Sequence, residues 1–258
     1  MKKLVHALVL TGLVGMSTFA MAAEESPHSL SANVGLFSDY VFRGISQTGG
    51  DPAVQGGLDY SHSSGFYLGT WGSNVGWLED FQGYDSGNVE IDVYGGFRGG
   101  IGQTGLTFDL GAIQYMYPGD ENPDPTVAKA DTTEVYAALG WKWFTAKYSY
   151  YVSDEVFGFG NADGSDYLDI SASLPIGETG FTAGAHWGTF SFENNGAADY
   201  DDWKVSLAYD MGKLSDVTSG VTVGVAYTDT DADSAVWTDG NNQFLGDGTT
   251  TVWLSKAF

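Results

Sequence analysis

The sequence predicts an all-β fold, namely a transmembrane antiparallel β-barrel of about 12 strands with both termini on the periplasmic side. Three observations predict it. Apolar and polar residues alternate along many short segments, and the connections between these segments are alternately short and long. The chain ends on an aromatic residue, Phe258. A period of two is typical of strands with one apolar and one polar face. Because every backbone N–H and C=O must be paired inside a membrane, such strands can span it only as a closed barrel.

The first residues have the pattern of a secretory signal peptide. Two lysines precede an apolar run from Leu4 to Val14, and the small-residue pattern Ala20-Met21-Ala22 follows. The run is too short for a spanning helix, so we expect residues 1–22 to be removed by cleavage after position 22 or 23. A buried N-terminal helix is the alternative. Residues 23–258 would then form a single outer-membrane β-barrel domain.

The alternation is clearest over residues 89–98. Val89, Ile91 and Val93 fall on one face of a strand there, and Glu90 and Asp92 fall on the other. A helix would scatter both sets around its circumference. The same pattern predicts twelve strands, over residues 30–43, 53–62, 66–75, 88–98, 106–117, 132–141, 144–152, 165–174, 181–192, 200–211, 221–228 and 249–258.

The connections between these strands alternate strictly in length. Short turns follow even-numbered strands, as at 63–65, 99–105, 142–143 and 175–180. Longer polar loops follow odd-numbered strands, as at 76–87, 118–131, 153–164 and 229–248. Short periplasmic turns and long outer loops are typical of outer-membrane barrels, and an even strand count brings the C-terminus back to the side of the N-terminus.

Aromatic residues favour a membrane barrel over a soluble one. Most of the tryptophans, with many tyrosines and phenylalanines, lie near predicted strand ends or in adjoining loops, where the girdles at a membrane interface would use them. The alternative is a secreted β-sandwich or barrel, which also alternates but turns its apolar face inward.

The composition excludes several classes of function. The chain has 33 acidic residues against 10 basic ones, for a net charge of −23, and removal of the leader would make it more acidic still. A nucleic-acid partner is therefore excluded, because no basic face could replace phosphate counterions. The absence of cysteine rules out disulfides and thiolate metal sites or nucleophiles. We expect no cofactor.

Three stretches carry a resemblance to a known family. Residues 30–47 (LSANVGLFSDYVFRGISQ), 52–60 (PAVQGGLDY) and 65–75 (GFYLGTWGSNV) resemble the TorF-like porin family of proteobacteria, outer-membrane barrels of poorly known function. The rest of the chain matches in pattern only. The resemblance implies location in the cell outer membrane and a channel role. It brings no catalytic or binding motif and no known substrate.

Phe258 is the expected membrane-insertion signal, since outer-membrane barrels generally end on an aromatic residue that the barrel-insertion machinery reads. Val252 and Leu254 share its face, although Lys256 interrupts that face. The expected partners are this machinery, outer-membrane lipid and lipopolysaccharide, and small solutes or cations.

If the apolar residues face lipid, their polar neighbours line the interior. This interior is predicted to be acidic and to favour passage of cations, because carboxylates lower the barrier for cations and raise it for anions. A closed lumen is an equally favoured alternative, in which the same charged side chains pair with one another and fill the barrel. The pore-lining candidates are Asp39, Arg43, Asp59, Glu90, Asp92, Arg98, Asp109, Glu134, Lys147, Asp169, His186, Lys204 and Asp210.

Metal binding and catalysis are both disfavoured. Asp229, Asp231 and Asp233 have the spacing of an EF-hand start, but Ser234 and Gly240 stand where that motif needs glycine and glutamate. Of the histidines, His186 alone falls on a predicted interior face, and no spacing joins it to Ser171 or Ser206 as a catalytic set. We therefore predict no enzyme. The alternative to a channel is a closed structural or adhesive barrel that acts through its acidic outer loops.

Overall fold

The computed structural model describes residues 26–124 and 126–258, so the signal peptide expected at residues 1–22 lies outside the described residues. The chain forms a closed antiparallel barrel in which each strand pairs with its neighbours in sequence and the last strand pairs with the first. The twelve barrel strands are β1 His28–Phe37, β2 Ala53–His62, β3 Phe66–Asn74, β4 Val89–Gly100, β5 Leu106–Met116, β6 Thr132–Trp141, β7 Phe144–Tyr151, β8 Asp166–Pro175, β9 Phe181–Ser191, β10 Tyr200–Asp210, β11 Val221–Thr230 and β12 Thr249–Ala257.

The predicted fold class is confirmed, and all but one of the predicted strand boundaries lie within two residues of the observed ones. The exception is the end of the first strand. The strand ends at Phe37 rather than at Arg43, and the chain then turns into the barrel as a small hairpin of Val41–Phe42 paired with Ile45–Ser46. Residues 38–43 (SDYVFR) include Tyr40, Val41 and Phe42, residue types that favour strands, and no glycine or proline marks the departure from the wall.

The two faces of the wall differ as the alternation predicts. Along β4, Val89, Ile91 and Val93 are 38–42% exposed, whereas the interleaved Glu90 and Asp92 are each 2% exposed. The apolar face is therefore the outer one, and the polar face surrounds the interior. This is the reverse of a soluble barrel, whose apolar residues fill its core. In the described part of the chain, no helix is long and apolar enough to cross a membrane.

The connections sort to the two ends of the barrel. Residues 63–65, 101–105, 142–143, 176–180 and 211–220 form the short-turn end; residues 38–52, 75–88, 117–131, 152–165, 192–199 and 231–248 form the long-loop end. The predicted strict alternation in length is wrong at one place, because 211–220 is longer than 192–199. The longer connection winds into two 3-10 turns, Met211–Lys213 and Asp216–Thr218.

The long loops pack against one another across the barrel mouth. A helical turn, Trp77–Asp80, and a 3-10 turn, Gly196–Ala198, lie in this region. Gln82 Nε2 donates to the carbonyls of Ala128 and Gly158 from two other loops, at 2.7 and 3.2 Å. The backbone N–H of Gly240 donates to the carbonyl of Asp80 at 2.6 Å. We call this interlocked set of loops the cap.

Aromatic side chains fill the space beneath the cap. Phe190 and Phe192 stack with ring centroids 4.0 Å apart, and Phe81 stacks on Trp237 at 6.0 Å. Trp237 Nε1 donates to the carbonyl of Ala198 at 3.2 Å, so its polar edge is satisfied while its ring is buried. In the part of the chain that the structure describes, buried apolar side chains therefore form a core inside the long-loop end of the barrel.

Candidate functional site inside the barrel

Residues 38–52, which we call the inserted segment, leave the wall after β1 and enter the lumen. Arg43 and Gly44 form the tip of its hairpin with φ of +47° and +85°. Positive φ at both central residues is the geometry of a tight hairpin turn, which strongly favours glycine at the second position. A Cβ at Gly44 would lie 2.5 Å from Thr230 Cγ2 and 2.6 Å from Asp202 Cβ, so the tip is pressed against β10 and β11.

Polar contacts within the inserted segment hold its shape. Asp39 is 5% exposed, and its Oδ1 accepts hydrogen bonds from Ser46 Oγ at 2.7 Å and Thr48 Oγ1 at 2.9 Å. Tyr40 reaches the wall, where its hydroxyl donates to Glu90 Oε1 at 3.0 Å. The predicted pore-lining Asp39 therefore braces the inserted segment rather than standing on a wall strand.

Arg43 places its guanidinium against the opposite wall. Its Nη2 lies 2.7 Å from Glu134 Oε2 on β6 and 3.5 Å from Ser149 Oγ on β7, and its Nη1 donates to the Tyr151 hydroxyl. The side chain is 8% exposed. Arg43 thus lies inside the barrel as predicted from its charge, but on the inserted hairpin instead of on the predicted first strand.

Glu134 is the charged centre of this half of the lumen. It is fully buried and accepts hydrogen bonds from Lys147 Nζ at 3.1 Å, Ser149 Oγ at 3.0 Å and Tyr115 Oη at 3.2 Å, besides Arg43. Both of its carboxylate oxygens therefore have two partners or more. A buried charge is tolerated when it is paired and hydrogen-bonded in this way.

A second polar group surrounds His186 on β9. Its Nδ1 lies 2.6 Å from Asp169 Oδ2 and its Nε2 lies 2.8 Å from Asp202 Oδ1. Tyr167 donates from its hydroxyl to the other oxygen of Asp202 at 2.7 Å. Since both ring nitrogens face carboxylates, neither is left to activate a serine.

A polar cavity of about 40 Å³ separates this group from the inserted segment. Arg43 and Gly44 line it on one side, and Asp169, His186 and Lys204 line it on the other. A cavity of this size is large enough for water but not for a sugar or an amino acid.

The remaining predicted pore-lining residues lie elsewhere along the inner face. Asp59 is half-buried and accepts a hydrogen bond from Tyr94 at 2.6 Å, and Asp109, fully buried, accepts one from Tyr67 at 2.6 Å. Arg98 is exposed, with its guanidinium carbon 4.9 Å from the Tyr67 ring centroid. Asp210 is exposed at the end of β10, where it accepts from the Gly212 N–H at 2.9 Å.

Sequence reasoning missed Asp202 and the buried tyrosines. Asp202 shares the inward alternation of Lys204 and could have been found by extending that pattern one step back along β10. Tyr115, Tyr151 and Tyr167 also follow the inward pattern of their strands, but the sequence predicts that aromatic residues form girdles at the membrane interfaces and so does not single them out. In this barrel their hydroxyls bind lumenal carboxylates or Arg43.

The lumen is closed towards the long-loop end and accessible from the short-turn end. At the closed end the inserted segment, the cap and the aromatic side chains leave Tyr151, Tyr167 and Phe190 no more than 3% exposed. At the other end, small inward residues such as Thr182 and Ser206 remain partly exposed. Near the same end of β3, β5 and β6, by contrast, the inward side chains of Tyr67, Asp109 and Tyr136 are buried.

No group of three or more His, Cys, Asp or Glu side chains in the described residues converges where a metal ion could bind. Phe258 is 57% exposed beyond the end of β12, and its N–H donates to the Ala32 carbonyl at 2.9 Å. This bond ties the C-terminal residue to β1 at the seam of the barrel.

A family model described as a bacterial protein of unknown function (Gcw_chp) matches residues 21–258. Among solved structures, a KdgM porin is similar with a TM-score of 0.52 and 9% sequence identity, over 88% of this chain and 99% of that one. The KdgM porin in complex with disordered oligogalacturonate is similar with a TM-score of 0.51 and 8% identity, over 89% and 97% of the two chains. A NanC porin is similar with a TM-score of 0.51 and 13% sequence identity, over 89% of this chain and 99% of that one.

These likenesses concern the fold, since all three identities are far below those at which function is shared. No curated protein sequence matches the chain. The observed architecture is thus that of a porin-type barrel with its own filling of the lumen.

Proposed function

The chain belongs to the Gcw_chp family of bacterial proteins of unknown function, and from this premise we propose that it is an outer-membrane channel for passive passage of ions or small solutes. The observation that carries the proposal is the inverted barrel itself. Apolar side chains such as Leu58, Ile170 and Val205 are 47–61% exposed around the outside, whereas charged side chains are buried inside. An apolar outer band around a polar interior is the arrangement that a barrel needs in a bilayer.

The described conformation is a closed state of this channel. The inserted segment, the cap and the aromatic side chains beneath it close the long-loop end, where Tyr151, Tyr167 and Phe190 are buried. Twelve strands enclose more space than the eight that side chains alone can fill, so removal of the inserted segment would leave room for a small solute. Passage therefore requires the inserted segment or the cap to move.

Cation preference is part of the proposal. Carboxylates outnumber fixed cationic groups along the inner face, since Asp59, Glu90, Asp92 and Asp109 have no lysine or arginine within ion-pair distance among the described contacts. A pore lined by unpaired carboxylates lowers the barrier for cations. An anionic oligomer such as the oligogalacturonate in the KdgM complex would meet repulsion here.

Export and membrane insertion complete the proposal. The leader at residues 1–22 would direct secretion, Phe258 would be read by the barrel-insertion machinery, and the outer band would contact lipid and lipopolysaccharide. The likeness of residues 30–47 to TorF-like porins supports the same placement. The long loops would then face outward.

The test is conductance of the mature protein in planar bilayers under a salt gradient. We expect discrete openings from a mostly closed state, with a reversal potential on the cation side. Silence over many verified insertions would overturn the channel, and anion preference would overturn the charge argument alone. Neutralising Glu90 and Asp92 together is expected to weaken the cation preference.

A closed structural or adhesive barrel is the second candidate, and one observation favours it. The cap closes the long-loop end with buried aromatic residues and hydrogen bonds between loops. Such packing is expected of a barrel that is permanently closed. This candidate predicts no conductance in the wild type and none after the inserted segment is loosened.

A further inference from the structure

We propose that the pocket in the barrel wall that holds the Arg43 guanidinium is a binding site for organic cations that carry a guanidinium or a primary ammonium group, and that Arg43 occupies it in place of the solute. The pocket, which we call the cation box, consists of Glu134, Ser149, Tyr151, Tyr167 and Phe190. The binding step is independent of transport, whereas the passage of such solutes rests on the channel function proposed above.

Aromatic rings surround the guanidinium on several sides. The guanidinium carbon lies 4.3 Å from the Tyr167 ring centroid, 5.5 Å from that of Tyr151 and 5.6 Å from that of Phe190. Phe42, from the inserted segment itself, adds a fourth ring at 4.8 Å. Cations within about 6 Å of a ring face are attracted by its quadrupole, and cages of this kind recognise organic cations in many proteins.

Oxygen acceptors complete the box. Glu134 supplies the negative charge, with its Oε2 2.7 Å from Arg43 Nη2, and Ser149 Oγ lies 3.5 Å from the same nitrogen. The Tyr151 hydroxyl accepts from the other nitrogen, Nη1. The planar fork of a guanidinium suits such a set of acceptors in one place, and its weak hydration lowers the cost of burial. The chemistry therefore selects for organic cations over sodium or potassium, which prefer a shell of oxygen ligands without rings.

The box and its occupant belong to different parts of the molecule. Glu134, Ser149, Tyr167 and Phe190 stand on β6, β7, β8 and β9, four adjacent and fully paired wall strands. Arg43 arrives from across the lumen on a two-residue hairpin. When the inserted segment withdraws, the wall keeps the box, and the carboxylate and rings are left for a cation from solution.

Charged groups beside the box both oppose and favour a cation after Arg43 departs. Lys147 already lies 3.1 Å from the other oxygen of Glu134, which offsets part of its charge. Asp169 and Asp202 line the adjoining cavity together with Lys204 and His186. An arginine-sized solute could thus place its guanidinium in the box and the rest of its length in a cavity that Arg43 now narrows.

The experiment compares full-length mature protein in detergent with its Arg43→Ala variant, using guanidinium chloride at 1–20 mM as the probe. We expect guanidinium to raise the thermal unfolding midpoint of Arg43→Ala in a saturable manner while leaving the wild type unchanged, because the box is vacant only in the variant. Sodium chloride at equal ionic strength and urea, a neutral molecule of the same shape, are the matched controls. Methylammonium is expected to act more weakly in the same direction.

Absence of a saturable difference between guanidinium and urea in Arg43→Ala would overturn the proposal. Adding Glu134→Gln to Arg43→Ala is expected to abolish the effect; if it persists, the site lies elsewhere. If Arg43→Ala refolds poorly, its refolding yield is measured with and without guanidinium. Arg43→Gln is titrated with guanidinium in the same way. Failure of guanidinium to assist either variant counts against the box.

Conductance separates this inference from the channel proposal. In a bilayer, guanidinium added to Arg43→Ala is expected to block the current at concentrations that saturate binding in detergent. If guanidinium binds in detergent but no variant conducts in a bilayer, the cation box is supported and the channel proposal is overturned. If Arg43→Ala conducts and guanidinium neither blocks the current nor contributes to it, the passage of such solutes through the cation box is overturned and the channel proposal is not.

Discussion

At the scale of single residues, the interior is organised around charges that need partners. Glu134 is fully buried and has contacts with two cations and two hydroxyls, while His186 lies between two carboxylates. Burial of such groups without partners costs several kcal/mol each. Alternation places Glu90, Asp92, Asp109, Glu134 and Asp169 on the inner face, but the pairing of the charged groups depends on segments far apart in the chain. Their role in lining an open pore stays a prediction.

Replacing Glu134 is expected to destabilise the barrel strongly. In Glu134→Gln, Arg43 and Lys147 keep their charges but lose their shared carboxylate, and loss of one partner of a buried ion pair costs about 3–5 kcal/mol. Urea unfolding of the protein in detergent micelles or thin bilayers measures this change.

Glu121→Gln is the matched control, because Glu121 pairs with Lys129 at 3.0 Å with both side chains more than half exposed. An exposed pair contributes about 0–1 kcal/mol. Equal losses for the two variants would contradict the view that Glu134 is the charged centre of the lumen.

At the scale of elements, the inserted segment is the part of the chain that leaves the wall and enters the lumen. Its hairpin has four paired residues, and the tip of this hairpin fits because Gly44 has no side chain where β10 and β11 pass. Tyr40, Val41 and Phe42 are residue types that favour strands, so local propensity favours a longer β1. Inside the lumen the chain reverses direction at Arg43 and Gly44, which adopt positive φ, and there Arg43 meets a carboxylate and aromatic rings.

Gly44→Ala is expected to loosen the inserted segment and raise the fraction of time that the channel conducts. A methyl group there would meet Thr230 and Asp202 at 2.5 and 2.6 Å, in addition to the strain of alanine at φ +85°. The backbone strain alone costs about 1–2 kcal/mol. Single-channel recording measures the open probability.

Gly105→Ala provides the control for backbone strain. Gly105 has φ +77° in a turn at the short-turn end, and a Cβ there would have no atom within 4 Å. We expect this variant to lose some stability and to conduct as the wild type does. If Gly44→Ala and Gly105→Ala have the same open probability, the tip of the hairpin is not what closes the channel.

At the scale of the whole molecule, the outer band separates a membrane barrel from a soluble one. Large apolar side chains stand 36% or more exposed on the outer face of every barrel strand, including Leu30 at 80%. Soluble monomers rarely expose continuous apolar surfaces of this extent. The closure of β1 on β12 through five registered pairs removes the sheet edges that lipid could not satisfy.

Ile170→Arg is expected to lower the free energy of unfolding by about 2–4 kcal/mol in a bilayer, the cost of arginine near the midplane on a lipid-facing site. Ile170 is 47% exposed at the middle of β8. Val217→Arg is the control, because Val217 is 89% exposed in the 211–220 turn, beyond the ends of the strands. A soluble protein would tolerate both changes equally, so a neutral Ile170→Arg would overturn the membrane placement.

The sequence by itself determined the barrel, its strand count and which face is polar, because strand period and connection length are local properties that each segment carries on its own. Only the tertiary structure decided that residues 38–52 fill the lumen, that the loops cap it, and that Arg43 lies among residues of β6 to β9. These features depend on contacts between residues about 90 to 150 positions apart, such as Arg43 with Glu134 and Phe190. Alternation records the side of the wall that a residue faces, but contains no information on which distant side chain it meets across the lumen.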